Sequence, residues 1–272
     1  MSANISAIPM KPTVRIKNIA LPIEHGSWGF VFEPLTAGLL IAFSPSAIWI
    51  VLLVVGAFLA RQPLKVLLND RIAERDLPQT AVAMKFVLIY GSISFFGAIG
   101  SLLLVKLASF LPFLFVLPLA VYQIYCDASR KSRELLPELT GAVAISSSVA
   151  VVALADNWTF SAAVALWGIF AARLVPSILY VRNRLRLEKG KDFSQIVPFL
   201  ANLFALIFVG TLAYKGFASL ITTAMFTVLL VRSTVGLSKY RRKVKAMRIG
   251  VWEVIYGALT AISVVLGYYL GV

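Results

Sequence analysis

The chain has 272 residues, 60% of them hydrophobic and only 14% charged, with a mean hydropathy of +0.87. That balance excludes an ordinary soluble globular domain. A formal net charge of +14 would point to nucleic acid in a soluble protein. Here its placement along the chain gives it another meaning, and no nucleic-acid partner is expected.

Residues 1–20 form a polar tail with Lys11, Arg15 and Lys17 but no continuous apolar run. No cleaved signal peptide is therefore expected, and the first span acts as the membrane signal. Residues 21–272 read as a single transmembrane helical domain. A helical span needs roughly 20 apolar residues. The apolar runs place about nine, near 27–43, 46–60, 82–104, 108–125, 138–155, 159–181, 196–214, 217–231 and 250–270. Ser27 is placed to cap the first, and Trp28 fits an interfacial aromatic belt.

The connections alternate in character. Ser44-Pro45, Lys106-Leu107, Asp156-Asn157 and Lys215-Gly216 are tight turns, and the connections between them are long and basic. Every Lys and Arg except Lys85, Lys106, Arg173 and Lys215 falls in the tail or in the stretches near 61–80, 126–137, 182–195 and 232–249. Of 12 acids, only Asp156 lies away from that face. A Lys/Arg bias in short loops sets orientation, so the charged face and the N-terminus are expected to be cytoplasmic and the C-terminus on the far side. The fold class expected is an all-α polytopic membrane protein: four helical hairpins opening to the cytoplasm and a ninth helix. The lone Cys126 forms no intramolecular disulfide and no Cys-cluster metal site.

Five charges fall inside apolar runs: Glu33, Lys85, Glu138, Arg173 and Glu253. A charge at the bilayer centre costs at least about 2.5–3.5 kcal/mol, so such residues face a partner or a wet cavity. Lys85 and Glu253 sit near a span end, where snorkelling is the simpler account. Glu33 and Arg173 lie about 9 Å and 12 Å deep at the helical rise, too deep for easy escape. For them a cavity or a mutual pair is expected. Pro176, three residues after Arg173, is expected to kink that helix beside the charge.

The first long connection carries Arg61, Lys65, Asn69, Asp70, Arg71, Glu74, Arg75 and Asp76. Asp70 and Glu74 at i,i+4 either hold Mg²⁺ through oxygen ligands or pair with Arg71 and Arg75. Beyond that alternative, no cofactor is read from the chain. In the second connection Arg130, Glu134 and Glu138 are spaced as an i,i+4 ladder, which leaves Asp127 and Arg133 without a local partner. The third, Tyr180-Val-Arg182-Asn-Arg184-Leu-Arg186, sits directly below Arg173. Guanidinium forks bind phosphate or carboxylate bidentately, so this is the principal anion-binding candidate. His25, the only histidine, is either a hydrogen-bonded structural residue or a base beside Glu24. Hydrolase triads, P-loops, GxGxxG and metal-spaced His/Cys clusters are absent from the sequence.

Three motifs carry a family resemblance: Leu21-Pro22-Ile23-Glu24-His25-Gly26-Ser27-Trp28 with Glu33-Pro34; Ser132-Arg133-Glu134-Leu135-Leu136-Pro137-Glu138; and Val175-Pro176-Ser177-Ile178-Leu179-Tyr180-Val181-Arg182 followed by Arg184 and Arg186. Together they resemble the YwiC-like family of bacterial integral membrane proteins, which implies the cell (inner) membrane. More distantly, nine helices with large loops after the second, fourth, sixth and eighth look like UbiA-type intramembrane prenyltransferases. That family carries N-D-x-x-D after helix two, where Asn69-Asp70 stands, and a second acidic motif after helix six. This chain has Ala73 in the first, with Glu74 and Asp76 beyond, and arginines in the second. The carboxylate–Mg²⁺–diphosphate arrangement that the resemblance implies does not map onto these residues.

The expected function is binding or transfer of a prenyl or lipid phosphate amphiphile at a cytoplasm-facing cavity of a UbiA-like bundle. Its head would lie against Arg61, Asn69, Arg133, Arg173, Tyr180, Arg182, Arg184 and Arg186. If transfer occurs, Asp70, Asp127, Glu33 and His25 are the candidate catalytic groups. Membrane lipids or an isoprenoid-like amphiphile are the partners expected. A small anion or lipid transporter, and a non-catalytic membrane assembly or lipid-binding protein, are the alternatives. The oligomeric state is not legible.

Overall fold

The computed structural model describes residues 16–22, 25–75 and 77–271, the side chain of His25 excepted. The rest of the polar tail, Glu24, the His25 side chain and Asp76 therefore lie outside the described residues. Every regular element among those described is helical. The elements are α1 (Ile16–Ala20), α2 (His25–Ile41), α3 (Ala47–Ile72), α4 (Pro78–Leu104), a 3₁₀ turn (Leu107–Phe110) leading into α5 (Leu111–Ala128), α6 (Leu135–Ser146), α7 (Ser148–Ala155), α8 (Phe160–Glu188), α9 (Ile196–Tyr214), α10 (Leu220–Leu237) and α11 (Ala246–Leu270).

Eight helical stretches are long and apolar enough to cross a membrane, with α6 and α7 counted as one. α2, at 17 residues, is shorter; it spans about 26 Å at the helical rise, less than a hydrocarbon core of about 30 Å. Helices suit this setting because they satisfy their backbone groups internally where no water is available. Large apolar side chains such as Leu88, Phe96, Leu103 and Phe204 face outward, 61–78% exposed. In lipid that is the expected outer surface, not a defect.

The helices run further than the apolar runs alone suggest. α3 continues through Pro63 to Ile72, and α8 continues through Pro176 to Glu188, so most of two expected loops is helix. Pro176 does not break α8. Ser27 lies inside the first turn of α2 rather than capping it, and Trp28 packs on Phe32 and edge-on to Phe58. Conversely, the span expected over 138–155 is interrupted at Ser147. There the Ser146 and Ser147 hydroxyls donate to the carbonyls of Val143 and Ala144, competing with the helical ladder.

Two apolar clusters form the core. One joins α7, α8, α9, α10 and α11 through Val149, Ile169, Phe170, Val209, Phe226 and Val264; the other joins α2, α3 and α7 through Val31, Ile50, Val54 and Val152. With no water to expel between helices, close packing of small residues holds the bundle. At Gly97 any Cβ would collide with the backbone of Leu52 and Leu53, which locks α4 against α3. α4 and α5 both pack on α3, and they face each other across a cavity.

The turns sort the chain into two ends. At one, Lys106 Nζ donates to Asn157 Oδ1 at 2.8 Å, joining two tight turns. At the other, the ends of α3, α5 and α8 meet the starts of α4, α6 and α11, and the basic connections lie there.

Candidate functional site

A cavity of about 1490 Å³ is lined by α2, α3, α4, α5, α6, α8 and α11. Its walls are overwhelmingly apolar, with Leu53, Phe95, Phe113, Val116 and Val254 among them. Along α5 it extends from Asp127 to Phe113, about 21 Å at the helical rise. Phe95 on α4 and Leu117 on α5 line it and are 61% and 53% exposed.

Its basic residues and the carboxylates that meet them gather at the charged end. Arg61, between the apolar wall residues Phe58 and Leu64 of α3, forks onto Asp127, with Nε to Oδ2 at 2.7 Å and Nη2 to Oδ1 at 3.1 Å. Gln123 Nε2 also donates to Asp127 Oδ1 at 3.2 Å. Asn69 ties the same corner by donating to the carbonyls of Lys65 and Asp127, and receives a bond from Arg130. Lys65 donates to Ser132. Across the mouth, Arg182 Nη1 donates to Glu138 at 2.7 Å and to the carbonyl of Arg133 at 3.0 Å. A second, smaller pocket shares Ser27, Phe58, Arg61 and Lys65 with the first and adds Pro22, Gln62 and Arg133.

Behind the cavity wall lies a buried charge network. Arg173, 2% exposed, places Nε 3.2 Å from Glu33 Oε2 and donates from Nη2 to the carbonyl of Glu253 at 2.7 Å. Arg232 meets Glu253 Oε1 at 2.7 Å and is sandwiched between the rings of Tyr180 and Tyr256, at 4.3 Å and 4.6 Å. Ser177 donates to the other Glu253 oxygen, and both residues border the cavity. Two guanidiniums and two carboxylates thus neutralise one another inside the bundle, which makes burial tolerable in lipid. Gly257 opposite leaves the room that the Glu33 carboxylate fills.

The expected residues therefore separate into groups. Arg61, Asp127 and Arg182 line the cavity, Arg133 lines the side pocket, and Asn69 supports them. The mutual pair expected of Glu33 and Arg173 forms, with Glu253 as a third member. Glu253 is buried rather than snorkelling, because α2, α8 and α10 pack around it. Arg173 and Tyr180 face this network and do not line the cavity. Arg184 bonds the carbonyls of Gly236 and Arg242 and pairs with Glu188 at 2.8 Å, and Arg186 is exposed. Residues two apart on a helix point about 200° apart, so Arg182 and Arg184 do not converge.

Asp70 is equally committed elsewhere. It accepts from Thr80 at 2.8 Å and from Gln79 at 3.1 Å and 3.3 Å, bracing the α3–α4 turn. Glu74 lies in that exposed turn with φ of 50°, and among the described residues no three His, Cys, Asp or Glu side chains gather in a metal-binding group. The Arg130–Glu134–Glu138 ladder does not form, since Arg130 sits in a turn at φ 59° and Glu138 serves Arg182. Lys65, Gln123, Ser177 and Arg232 are site residues that the sequence did not single out. Arg232 carried a readable signal, a lone charge at the end of an apolar run.

These features define a multi-pass helical membrane protein enclosing an apolar cavity with a cationic mouth. Residues 21–154, just under half of the chain, match the family model described as YwiC-like protein, so this stretch is similar to the YwiC-like family. The matched stretch holds the Arg61–Asp127 corner and Glu138, while Arg173 and Arg182 lie beyond it. No curated protein and no solved structure matches the chain significantly, so the UbiA-type likeness gains no support.

Proposed function

We propose that the protein binds an amphiphile of the prenyl- or lipid-phosphate type, its anionic head at the charged mouth and its tail in the apolar cavity. The observation that carries this reading is the continuity of a cavity of about 1490 Å³, larger than a drug-sized ligand needs, with a corner where Arg61, Lys65 and Arg182 stand beside Asp127 and Glu138. The mouth lies on the basic face, which is the cytoplasmic face by the charge bias. The transporter alternative is less well supported, because Lys106, Asp156 and Lys215 at the other end do not line the cavity.

Equilibrium binding in phosphatidylcholine nanodiscs tests the reading with three probes sharing one long alkyl tail: a phosphate, a trimethylammonium and a neutral alcohol. Saturable binding of the phosphate alone is expected. Equal partitioning of all three would refute it.

A further inference from the structure

The side pocket is small, about 60 Å³, and its lining is unlike that of the main cavity. Three cations from separate parts of the chain border it: Arg61 and Lys65 on α3, one turn apart, and Arg133 from the α5–α6 connection. Arg133 is exposed, and the Arg61 side chain, which forks onto Asp127, is 37% accessible. Gln62 adds an amide. Ser27, in the first turn of α2, borders the same space. Its volume admits roughly four to six water-sized atoms at about 10–15 Å³ each, the size of a tetrahedral oxyanion and far too little for a tail.

We infer that this pocket is an oxyanion subsite for a phosphate group, held by Arg61, Lys65 and Arg133. The inference rests on the amphiphile reading and gives it a location: the phosphate sits between α2, α3 and the α5–α6 connection, not below Arg173 on α8. Two guanidiniums and one ammonium suit a phosphate dianion better than a carboxylate, because they supply more positive charge than one negative group balances. Since Arg61, Lys65, Ser27 and Phe58 border both spaces, a phosphate in the pocket leaves its ester oxygen facing the cavity where a tail begins. The same pocket chemistry serves the phosphate of a lipid head and a free phosphate ion.

Titration calorimetry in phosphatidylcholine nanodiscs, with hexadecyl phosphate and with inorganic phosphate, distinguishes these sources. The proteins compared are the wild type, Lys65→Ala, Arg133→Ala and, as an exposed cation elsewhere on the charged face, Lys191→Ala. At least tenfold weaker phosphate binding is expected in Lys65→Ala and Arg133→Ala, with Lys191→Ala unchanged. Much tighter binding of the alkyl phosphate assigns the pocket to a lipid head; equal binding of both probes keeps the oxyanion site, assigns it to free phosphate, and removes the amphiphile reading. Tight alkyl phosphate binding that survives both substitutions, or that falls equally in Lys191→Ala, overturns the subsite while leaving the amphiphile reading in place. Arg133 is exposed, so its truncation leaves the fold intact, and unchanged thermal unfolding of that variant confirms that a loss of binding is local.

Discussion

Arg173→Met is the sharpest perturbation of the bundle interior. The substitution keeps an unbranched apolar stem in α8 but removes the guanidinium that lies between Glu33 and Glu253. Arg232 still serves Glu253 at 2.7 Å, so the group left exposed to the loss is Glu33, a carboxylate 7% exposed in a membrane helix. Breaking a buried ion pair by removing one partner costs about 3–5 kcal/mol, because the remaining charge is desolvated without compensation. Most of that cost belongs to the orphaned carboxylate, so Glu33→Gln added to Arg173→Met is expected to recover part of it, with a coupling of about 0.5–3 kcal/mol. The assay is reversible unfolding in mixed detergent micelles followed by far-UV circular dichroism, for wild type, both single variants and the double. Wild-type stability in Arg173→Met, or strictly additive losses in the double variant, would refute the network as a coupled unit.

Three further outcomes follow from named contacts. Asp70→Ala strands Thr80 and Gln79 and should cost about 1–3 kcal/mol in the same unfolding assay, while alkyl phosphate binding stays at the wild-type level; a selective loss of binding would return Asp70 to the site. Gly257→Ala collides with the Glu33 carboxylate and should destabilise, whereas Gly250→Ala meets open space beside the cavity and should be neutral or stabilising by up to about 1 kcal/mol; unfolding midpoints in the opposite order would contradict the packing described. Ala120→Trp, which projects into the cavity from α5, should weaken binding of long-tailed phosphates at least tenfold without affecting inorganic phosphate, and equal affinity for the long-tailed probe would place the tail elsewhere.

The sequence made the ends of the bundle readable and its interior only partly so. Alternation of tight turns with basic connections predicts where charge gathers, because that pattern is local. The Glu33–Arg173 pair was also foreseeable, since two deep charges on separate spans have few ways to be satisfied. Its extension to Glu253 and Arg232 was not, as both lie near helix ends where snorkelling is an equally good local account. Asp70 looked like a ligand because its partners Gln79 and Thr80 lie across a turn that the sequence presents as loop. The Arg61–Asp127 fork joins residues 66 apart, a contact no spacing rule reveals. The arginines at 182, 184 and 186 drew attention by their density, but helix geometry turns Arg184 away from Arg182 and gives it backbone carbonyls to hold.

The central claim is that the cavity holds a phosphate-headed amphiphile, and native mass spectrometry of the purified protein addresses it most directly. Wild type and Arg61→Ala/Arg182→Ala would be compared after progressive delipidation, with the bound species extracted and identified. The account predicts that the wild type retains a phosphate-headed amphiphile after bulk lipid is stripped and that the double variant does not. Retention of bulk phospholipid alone, equal in the two proteins, would contradict it.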